Sequence, residues 1–377
     1  MKVTIVGAGI GGLTLAIALQ QKGIEVEIFE ATPQFRKVGA GIVLAINAMQ
    51  IYQRLGLVDP LKKAGNCLKS MAITDMNLKE MASNKLEYFE EKYQLSNVAI
   101  HRAALHEVLL SELPNTPLYL NKKLKKLEQV GEKVQLEFED GTQHETDWVL
   151  GADGIHSSVR QAIFPTSKER FAKQICWRGV VEFELKKEDR AKLREAWGYG
   201  KRFGIVPIGN NLVYWFACVS YEQHQKELEG LELATIFGEF NPLVAQIIAA
   251  TPSETMIKAE LSDLEQLEKW HKGRVCLVGD AAHATTPNMG QGANQAIESA
   301  WVLSECLAKE KERSKAFEQY QKIRQTKANQ IIKTSWQIGK VAHISNPFLA
   351  GLRNTFMRLT PAFLGDLQLK KLFKLDY

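Results

Sequence analysis

A glycine triplet near the start of the chain, Gly7-x-Gly9-x-x-Gly12, constrains this sequence more than any other feature. It follows an apolar run, residues 2–6 (KVTIV), that reads as a short buried strand. It opens a helix over 11–22 with Leu15, Ala18 and Leu19 on one face. Gly23 stops that helix, and residues 25–30 (EVEIFE) alternate as a second strand. A strand–helix–strand unit of this length is a βαβ module. In such a module the first glycine allows the tight turn, the second lets the backbone approach a pyrophosphate, and the third lets helix and strand pack closely. The helix N-terminus adds unpaired N–H groups and the positive end of its dipole. Glu30 ends the second strand, 23 residues after Gly7, where a carboxylate accepts hydrogen bonds from both hydroxyls of a ribose. Its charge repels a 2′-phosphate, so the pocket suits FAD or NAD and not NADP. The competing reading is a structural turn in an α/β domain. The same stretch superficially matches a secretory signal, but Gly7, Gly9, Gly11 and Gly12 interrupt what should be a continuous apolar core.

The chain has 377 residues, enough for two or three domains and a sizeable core. Hydrophobic residues at 45% and charged residues at 24% exclude a disordered chain, a collagen-like fibre and a disulfide-stapled mini-protein. A net charge of +5 is too small to imply nucleic acid and is compatible with an anionic cofactor. Five cysteines stand singly, with no Cys-x-x-Cys and no Cys/His cluster, so no metal site and no disulfide framework is expected, and a reduced, cytoplasmic chain is. No apolar run reaches membrane-spanning length; residues 347–365 come nearest and are broken by Arg353, Arg358 and Pro361.

Further along, 47–55 and 102–113 read as helices, and 124–130 and 133–139 as strands of an antiparallel meander around Gly131, with a turn at Asp140-Gly141. Residues 148–150 form a short apolar strand running into Gly151. From Cys176 the texture changes to strand-like pieces (180–185, 203–207, 212–219, 256–261) with one or two helices over 231–250. An apolar strand returns at 274–278, followed by helices over 292–307 and 310–343. The pattern is one nucleotide-binding domain interrupted by a sheet-rich insertion.

Two later segments carry chemistry. Gly151-Ala-Asp153-Gly154 follows a strand and leads to Arg160; taken alone, an Asp-Gly there is equally an ordinary turn. Gly279-Asp280-Ala-Ala-His283-Ala-Thr-Thr-Pro287-Asn-Met-Gly290-Gln-Gly292-Ala-Asn294 places an acidic residue at a strand end and a glycine-rich loop before a helix. The N–H groups of that helix start point at a negative or electron-rich group. Two nucleotide-type loops about 270 residues apart are hard to explain as packing.

The three motifs, in this order, resemble those of the single-component FAD-dependent aromatic hydroxylases of the para-hydroxybenzoate hydroxylase type, with the salicylate hydroxylase, urate hydroxylase and tetracycline-inactivating monooxygenase branch, across nearly the whole chain. The resemblance implies an α/β fold: a Rossmann-like FAD-binding domain with an inserted antiparallel-sheet substrate domain and a long C-terminal helix. Its expected extents are 1–70, 98–170 and 271–345 for the FAD-binding domain, 71–97 and 171–270 for the substrate domain, and 346–377 for a C-terminal helical segment. It implies that Gly9, Gly11 and Gly12 face the FAD pyrophosphate and that Glu30, beside Ala31, meets the adenosine ribose. Arg36 and Arg102 match basic positions near the phosphates or ribityl chain, and Val43 and Leu124 match lining positions. Asp153 belongs to a motif that serves FAD and NAD(P)H together. Asp280 is expected on the ribityl chain, Pro287 beside the isoalloxazine, and Gly290, Gly292 and Asn294 at its pyrimidine edge. One departure is visible: the family often reads Glu-Asp-Ala where this chain has Glu298-Ser299-Ala300, a change expected to touch packing more than chemistry.

The implied activity is hydroxylation of an aromatic or heteroaromatic small molecule with O2, through a flavin C4a-hydroperoxide, with NADH or NADPH docking transiently as reductant. Arg178, Arg202, Tyr214 and Trp215 are the expected substrate residues. Arg202 and Tyr214 are the catalytic candidates, a guanidinium to orient the ring and a phenol to help deprotonate it. The plainer alternative has the arginine reaching outward and the tyrosine filling core. His283 reads as structural more than as a base. A monomer or homodimer is expected. Two other functions fit parts of the sequence: a flavin reductase or dehydrogenase of the geranylgeranyl-reductase kind, and a flavin-holding protein whose basic, apolar C-terminus lies on a membrane surface.

Overall fold

The computed structural model describes residues 2–35, 40–221, 232–375 and 377. Strand Lys2–Val6 lies in the middle of a six-stranded sheet, ordered His271–Lys272, Val275–Leu277, Val149–Gly151, Lys2–Val6, Glu25–Phe29, Leu118–Tyr119. Every pairing is parallel except the short hairpin formed by the first two. Helix Ile10–Gln20 connects the first two strands of the chain, and its buried residues run all the way round its axis. A helix apolar on every side is buried on every side. The sheet lies on one side, and helix Gly292–Lys309 on the other comes close enough that a Cβ at Gly11 would stand 3.3 Å from that of Ala296. The one-faced reading of this helix captured only half of its environment.

The second body is a seven-stranded sheet, ordered Ile257–Leu264, Glu169–Glu182, Leu212–Ser220, Lys201–Gly209, Lys192–Trp197, Ser70–Asp75, Glu80–Lys85. It is antiparallel except where Lys192–Trp197 runs parallel to Ser70–Asp75. Alternation along its strands gives it two faces. One carries Phe203, Ile205, Val213, Trp215 and Ala217 into a core with helices Leu233–Ile236 and Pro242–Ala250. The other carries Arg178, Arg202, Tyr214 and Phe216, on neighbouring strands of matched register. The strands Ser70–Asp75 and Glu80–Lys85 were not legible as strands. The second, EMASNK, has no β-branched or aromatic residue and pairs only as the sheet's edge.

A three-stranded sheet, Gly41–Leu44, Asn97–His101 and Gly65–Leu68, also went unrecognised in the sequence. Its strand Gly41–Leu44 meets the seven-stranded sheet so tightly that a Cβ on Gly41 would overlap the Tyr214 ring at 2.4 Å. The meander Leu124–Val130, Lys133–Phe138, Gln143–Thr146 is antiparallel as expected. The long helix runs Arg313–Ala342 and is followed by helices Pro347–Leu359 and Ala362–Phe373. Among the described residues no helix is long and apolar enough to cross a membrane.

Candidate active site

The glycine motifs, far apart in sequence, meet in space. Gly7 has φ +106°, and a Cβ there would lie 2.4 Å from the carbonyl oxygen of Ala152. Only glycine permits that approach, and it joins the first motif to Gly151-Ala-Asp153-Gly154. Arg160 links the second motif to the third: it is 1% exposed and donates from Nη2 to the Ile155 carbonyl and from Nη1 to the Ala281 carbonyl at 3.2 Å. Gly11 and Gly279 both abut Ala296, one turn into the helix that follows the third motif. The sequence pointed to Arg160 only as a neighbour of Asp153; its bridging role depends on a carbonyl 121 positions away.

Between the first two motifs lies a cavity of about 300 Å³ whose walls include Gly7, Gly9, Glu30, Ala31, Leu124 and Asp153, at the small end of ligand sites. Glu30 is fixed there by two backbone donors, Ala8 N–H to Oε2 at 2.7 Å and Thr32 N–H to Oε1 at 2.9 Å. Each carboxylate oxygen retains a further lone pair for an incoming hydroxyl. A side chain on Gly9 would meet no protein atom within 4 Å. The backbone at this position is therefore bare where a phosphate approaches. Asp153 spends its carboxylate on the local turn, accepting from Ser157 Oγ and from the Val159 N–H at 3.0 Å. It is both a cavity wall and the ordinary Asp-Gly turn that the sequence left open. These features suit the adenosine and pyrophosphate of FAD: a bare glycine backbone, an uncapped helix start at Ile10–Gln20 and an anchored carboxylate.

The third motif carries further expected cofactor residues. Asp280 keeps solvent-accessible surface, yet burial by the protein around it pushes its carboxyl pKa up, opposed by the charge of Arg102. Arg102, first residue of helix Arg102–Ser111, lies close enough for its charge to act on Asp280. Pro287 opens the exposed turn Pro287–Met289, and Gly290 follows with φ +60° and open space beside it. Helix Gly292–Lys309 starts with no side-chain cap, so the N–H groups of Gly292, Ala293 and Asn294 have no helical acceptor. The Asn294 side chain serves the fold. Its amide is consumed by the protein, accepting from Ala45 N–H at 2.9 Å and donating to the carbonyls of Val43 and Gly290 at 3.0 and 2.8 Å. It ties the Val43 strand to the Gly290 loop, and only its backbone N–H is left to meet a ligand. Arg36 lies outside the described residues.

Of the substrate candidates, Arg178, Arg202 and Tyr214 share one sheet face, and Trp215 lies in the core on the other. Arg202 is 1% exposed and does not reach outward. Its Nη1 pairs with Glu195 at 2.8 Å and its Nη2 donates to Asn288 Oδ1 at 2.6 Å. With both terminal nitrogens of the guanidinium bound by protein, Arg202 clamps the sheet to the Pro287–Met289 turn, while its buried Nε has no protein partner. Tyr214 packs on Gly41 and stands 6.1 Å from the Phe216 ring. Burial, with Cys176 nearby, pushes its pKa up, against the pull of Arg178. A phenol held neutral is a hydrogen-bond donor. Arg178 lies half-buried on the same face, close enough for its charge to act on Tyr214 and Cys176. Sequence reasoning missed Phe216, Glu195 and Asn288. The first was legible from its even spacing with Tyr214; the others act through partners distant in the chain.

Behind the third motif sits a buried polar network. Glu298 is fully buried and receives Arg324 Nη1 at 2.7 Å, Asn47 Nδ2 at 2.6 Å, Lys327 Nζ at 3.0 Å and the Tyr377 hydroxyl at 2.8 Å. Burial pushes its pKa up, but Arg324 and Lys327 hold it below the ordinary value. Ser299, the departure from the family pattern, bonds His283 Nε2 at 2.8 Å and takes Arg324 Nε at 3.3 Å. Burial and the Arg324 charge push His283 down to about 3, so it stays a neutral structural group.

Comparison with known proteins agrees with this geometry. The family model described as FAD binding domain matches residues 1–335. The chain is 34% identical over 361 residues to aurachin C monooxygenase/isomerase of Stigmatella aurantiaca, covering 95% of this chain and 94% of that protein. It is 34% identical over 373 residues to 2-heptyl-3-hydroxy-4(1H)-quinolone synthase of Pseudomonas aeruginosa (strain UCBPP-PA14), covering 96% and 94%. The fold superposes on Klebsiella pneumoniae HpxO complexed with FAD and uric acid with a TM-score of 0.87 at 26% identity, over 99% of this chain and 96% of the other. With an FAD-binding model spanning most of its length and monooxygenases aligned from end to end, this chain belongs to the FAD-dependent aromatic hydroxylase family of monooxygenases.

Proposed function

We propose that this enzyme hydroxylates a bicyclic heteroaromatic ring of the 4-quinolone kind, using O2 and a transiently docked NADH or NADPH. The observation that carries the reading is the sheet face that bears Arg178, Tyr214 and Phe216, with Tyr214 packed on Gly41 and Arg202 of the same face bound to Asn288 beside the glycine loop. Tyr214 and Phe216 belong to an apolar cluster with Val43, Met71, Val180, Leu193 and Val206. One cation, one neutral phenol and otherwise apolar surface suit a ring with a single carbonyl and an alkyl substituent better than a polyanionic ring. The alkyl-quinolone name of one relative supports the same choice.

FAD supplies the electron transfer and oxygen activation. Gly9, Gly11 and Gly12 and the helix start after them hold the pyrophosphate. Glu30, with Ala31 and Leu124, holds the adenosine ribose end, and Asp153 shapes the wall beside it. Asp280 accepts from the ribityl hydroxyls with Arg102 nearby. Pro287, Gly290, Gly292 and the backbone of Asn294 and Val43 border the ring system. Arg178 orients the substrate carbonyl, Tyr214 donates to it as a neutral phenol, and the apolar cluster keeps water from the reacting face. Glu195, Arg202 and Asn288 hold sheet and loop at a fixed separation.

The test is a panel of 2-alkyl-4(1H)-quinolones and phenolic acids given to FAD-loaded enzyme with NAD(P)H, under isotopically heavy dioxygen. Faster NAD(P)H oxidation and one heavy oxygen in the quinolone product are expected. Turnover of the phenolic acids with inert quinolones overturns the substrate assignment, and product without heavy oxygen overturns the reaction.

A further inference from the structure

The last two helices carry an apolar surface that the fold does not use. Helix Pro347–Leu359 turns Ala350 and Arg353 inward, and Arg353 is locked there by donating to the carbonyls of Ala342 at 3.0 Å and Gly198 at 3.3 Å. Helix Ala362–Phe373 turns Phe373 inward to an edge-on contact with Phe89, with ring centroids 5.1 Å apart. The inner faces are thus filled and anchored. On the outer faces Phe348 and Phe356 are each 73% exposed and Leu359 is 76% exposed, joined by Leu352, Phe363 and Leu367. The spacing 348, 352, 356, 359 is that of one helical stripe, and 363 and 367 repeat it on the next helix. Soluble monomers rarely leave so contiguous an apolar surface uncovered.

Charge identifies what covers it. Between residues 345 and 375 the sequence has one carboxylate, Asp366, against Arg353, Arg358, Lys370, Lys371 and Lys374. Lys371 is exposed, Arg358 is exposed and paired with Asp75 at 2.8 Å, and Lys370 lies 4.8 Å from the centre of the exposed Tyr88 ring. An apolar stripe with basic flanks and an aromatic ring beside a lysine matches the acyl-to-headgroup boundary of an anionic bilayer. A second copy packed on the same face by a two-fold axis brings like charges together. We propose that the helix pair Pro347–Phe373 seats this enzyme on the surface of anionic lipid bilayers, with Phe348, Phe356, Leu359 and Phe363 entering the interface and Arg358, Lys370 and Lys371 meeting lipid phosphates. This goes beyond the proposed reaction and does not depend on it.

The experiment is co-sedimentation of FAD-loaded enzyme with vesicles of phosphatidylglycerol and phosphatidylcholine, and with phosphatidylcholine alone. Light scattering in lipid-free buffer accompanies it. The enzyme is expected to sediment with the anionic vesicles and to be released by salt. F356S/L359S, which touches neither cofactor loops nor substrate face, is expected to lose at least about tenfold in vesicle affinity and to keep its flavin content and melting temperature. Three results overturn the proposal: no binding to anionic vesicles, equal binding by the variant, or a lipid-free dimer that the variant turns into monomers. Equal binding to neutral vesicles removes the role given to the basic residues.

Discussion

Gly9 and Gly12 lie three residues apart, and the structure gives them opposite sensitivities to one methyl group. Gly9 has φ −71° and ψ −179°, a conformation open to any L-residue, and a Cβ there meets nothing within 4 Å. Gly9→Ala therefore introduces no clash in the apo-protein. The gain from a stiffer unfolded chain, about 0.4–1 kcal/mol, is offset by alanine being a poorer N-cap. Apo stability is expected to stay within about 0.5 kcal/mol of wild type. The methyl group projects into the cavity assigned to the pyrophosphate, and overfilling a close contact costs about 1–3 kcal/mol. That is about 5- to 150-fold in FAD affinity. Gly12→Ala behaves differently, because its Cβ would lie 2.0 Å from the Gly7 carbonyl oxygen, a backbone atom that no rotamer change can move. It destabilises the apo-protein itself by about 1–3 kcal/mol or more. Urea unfolding of both apo variants, with FAD titrations followed by quenching of flavin fluorescence, separates the two. Unchanged FAD affinity in Gly9→Ala, or apo destabilisation as large as that of Gly12→Ala, refutes the assignment of this loop to the phosphates.

Three further outcomes follow from the buried groups. His283 is held neutral to about 3 from an ordinary 6.5, so below 6.5 the unfolded chain binds a proton that the folded one refuses. Stability then falls with acidification by up to about 1.4 kcal/mol per pH unit between those values, and urea midpoints of His283→Gln should show a shallower acid slope; an unchanged slope contradicts the neutral assignment. Glu298→Ala leaves Arg324 buried without its partner and should cost about 3–5 kcal/mol, read by urea denaturation, with a loss under about 1 kcal/mol counting against the network. Tyr214→Phe should lower kcat by about tenfold, the worth of one hydrogen bond made in the transition state. It should leave the shape of the pH–rate profile between 6 and 9 unaltered, because the phenol is already neutral there; loss of an ionisation in that range would show Tyr214 acting as a base.

The parts of this protein legible in its sequence are those in which one contiguous segment does the chemistry. Gly7–Gly12 with Glu30, and Gly279-Asp280 with the glycine loop after it, each contain a strand end, a turn and a helix start within a few residues. Local rules therefore suffice to read them. The strands Ser70–Asp75 and Glu80–Lys85 join their sheet through the pairing of the first with Lys192–Trp197, more than a hundred residues on, and nothing local marks them. Arg202 was visible as a cation on a sheet, but its engagement by Asn288 depends on how two bodies dock. Asn294 was visible at the loop, but the bond of its side chain to the Val43 carbonyl depends on a strand about 250 residues back. The amphipathic pattern of residues 347–373 was equally plain, but a pattern does not tell which face turns outward. The anchoring of Ala350, Arg353 and Phe373 decides that.

The most direct measurement of the central claim is the electron density of FAD in crystals of the loaded enzyme. One FAD is predicted per chain, its pyrophosphate on Gly9–Gly12, its ribose on Glu30, and its ring system between the Pro287–Gly292 loop and the Tyr214 face of the sheet. Density that places the flavin ring away from that face, or the dinucleotide outside the junction of the glycine loops, contradicts the account.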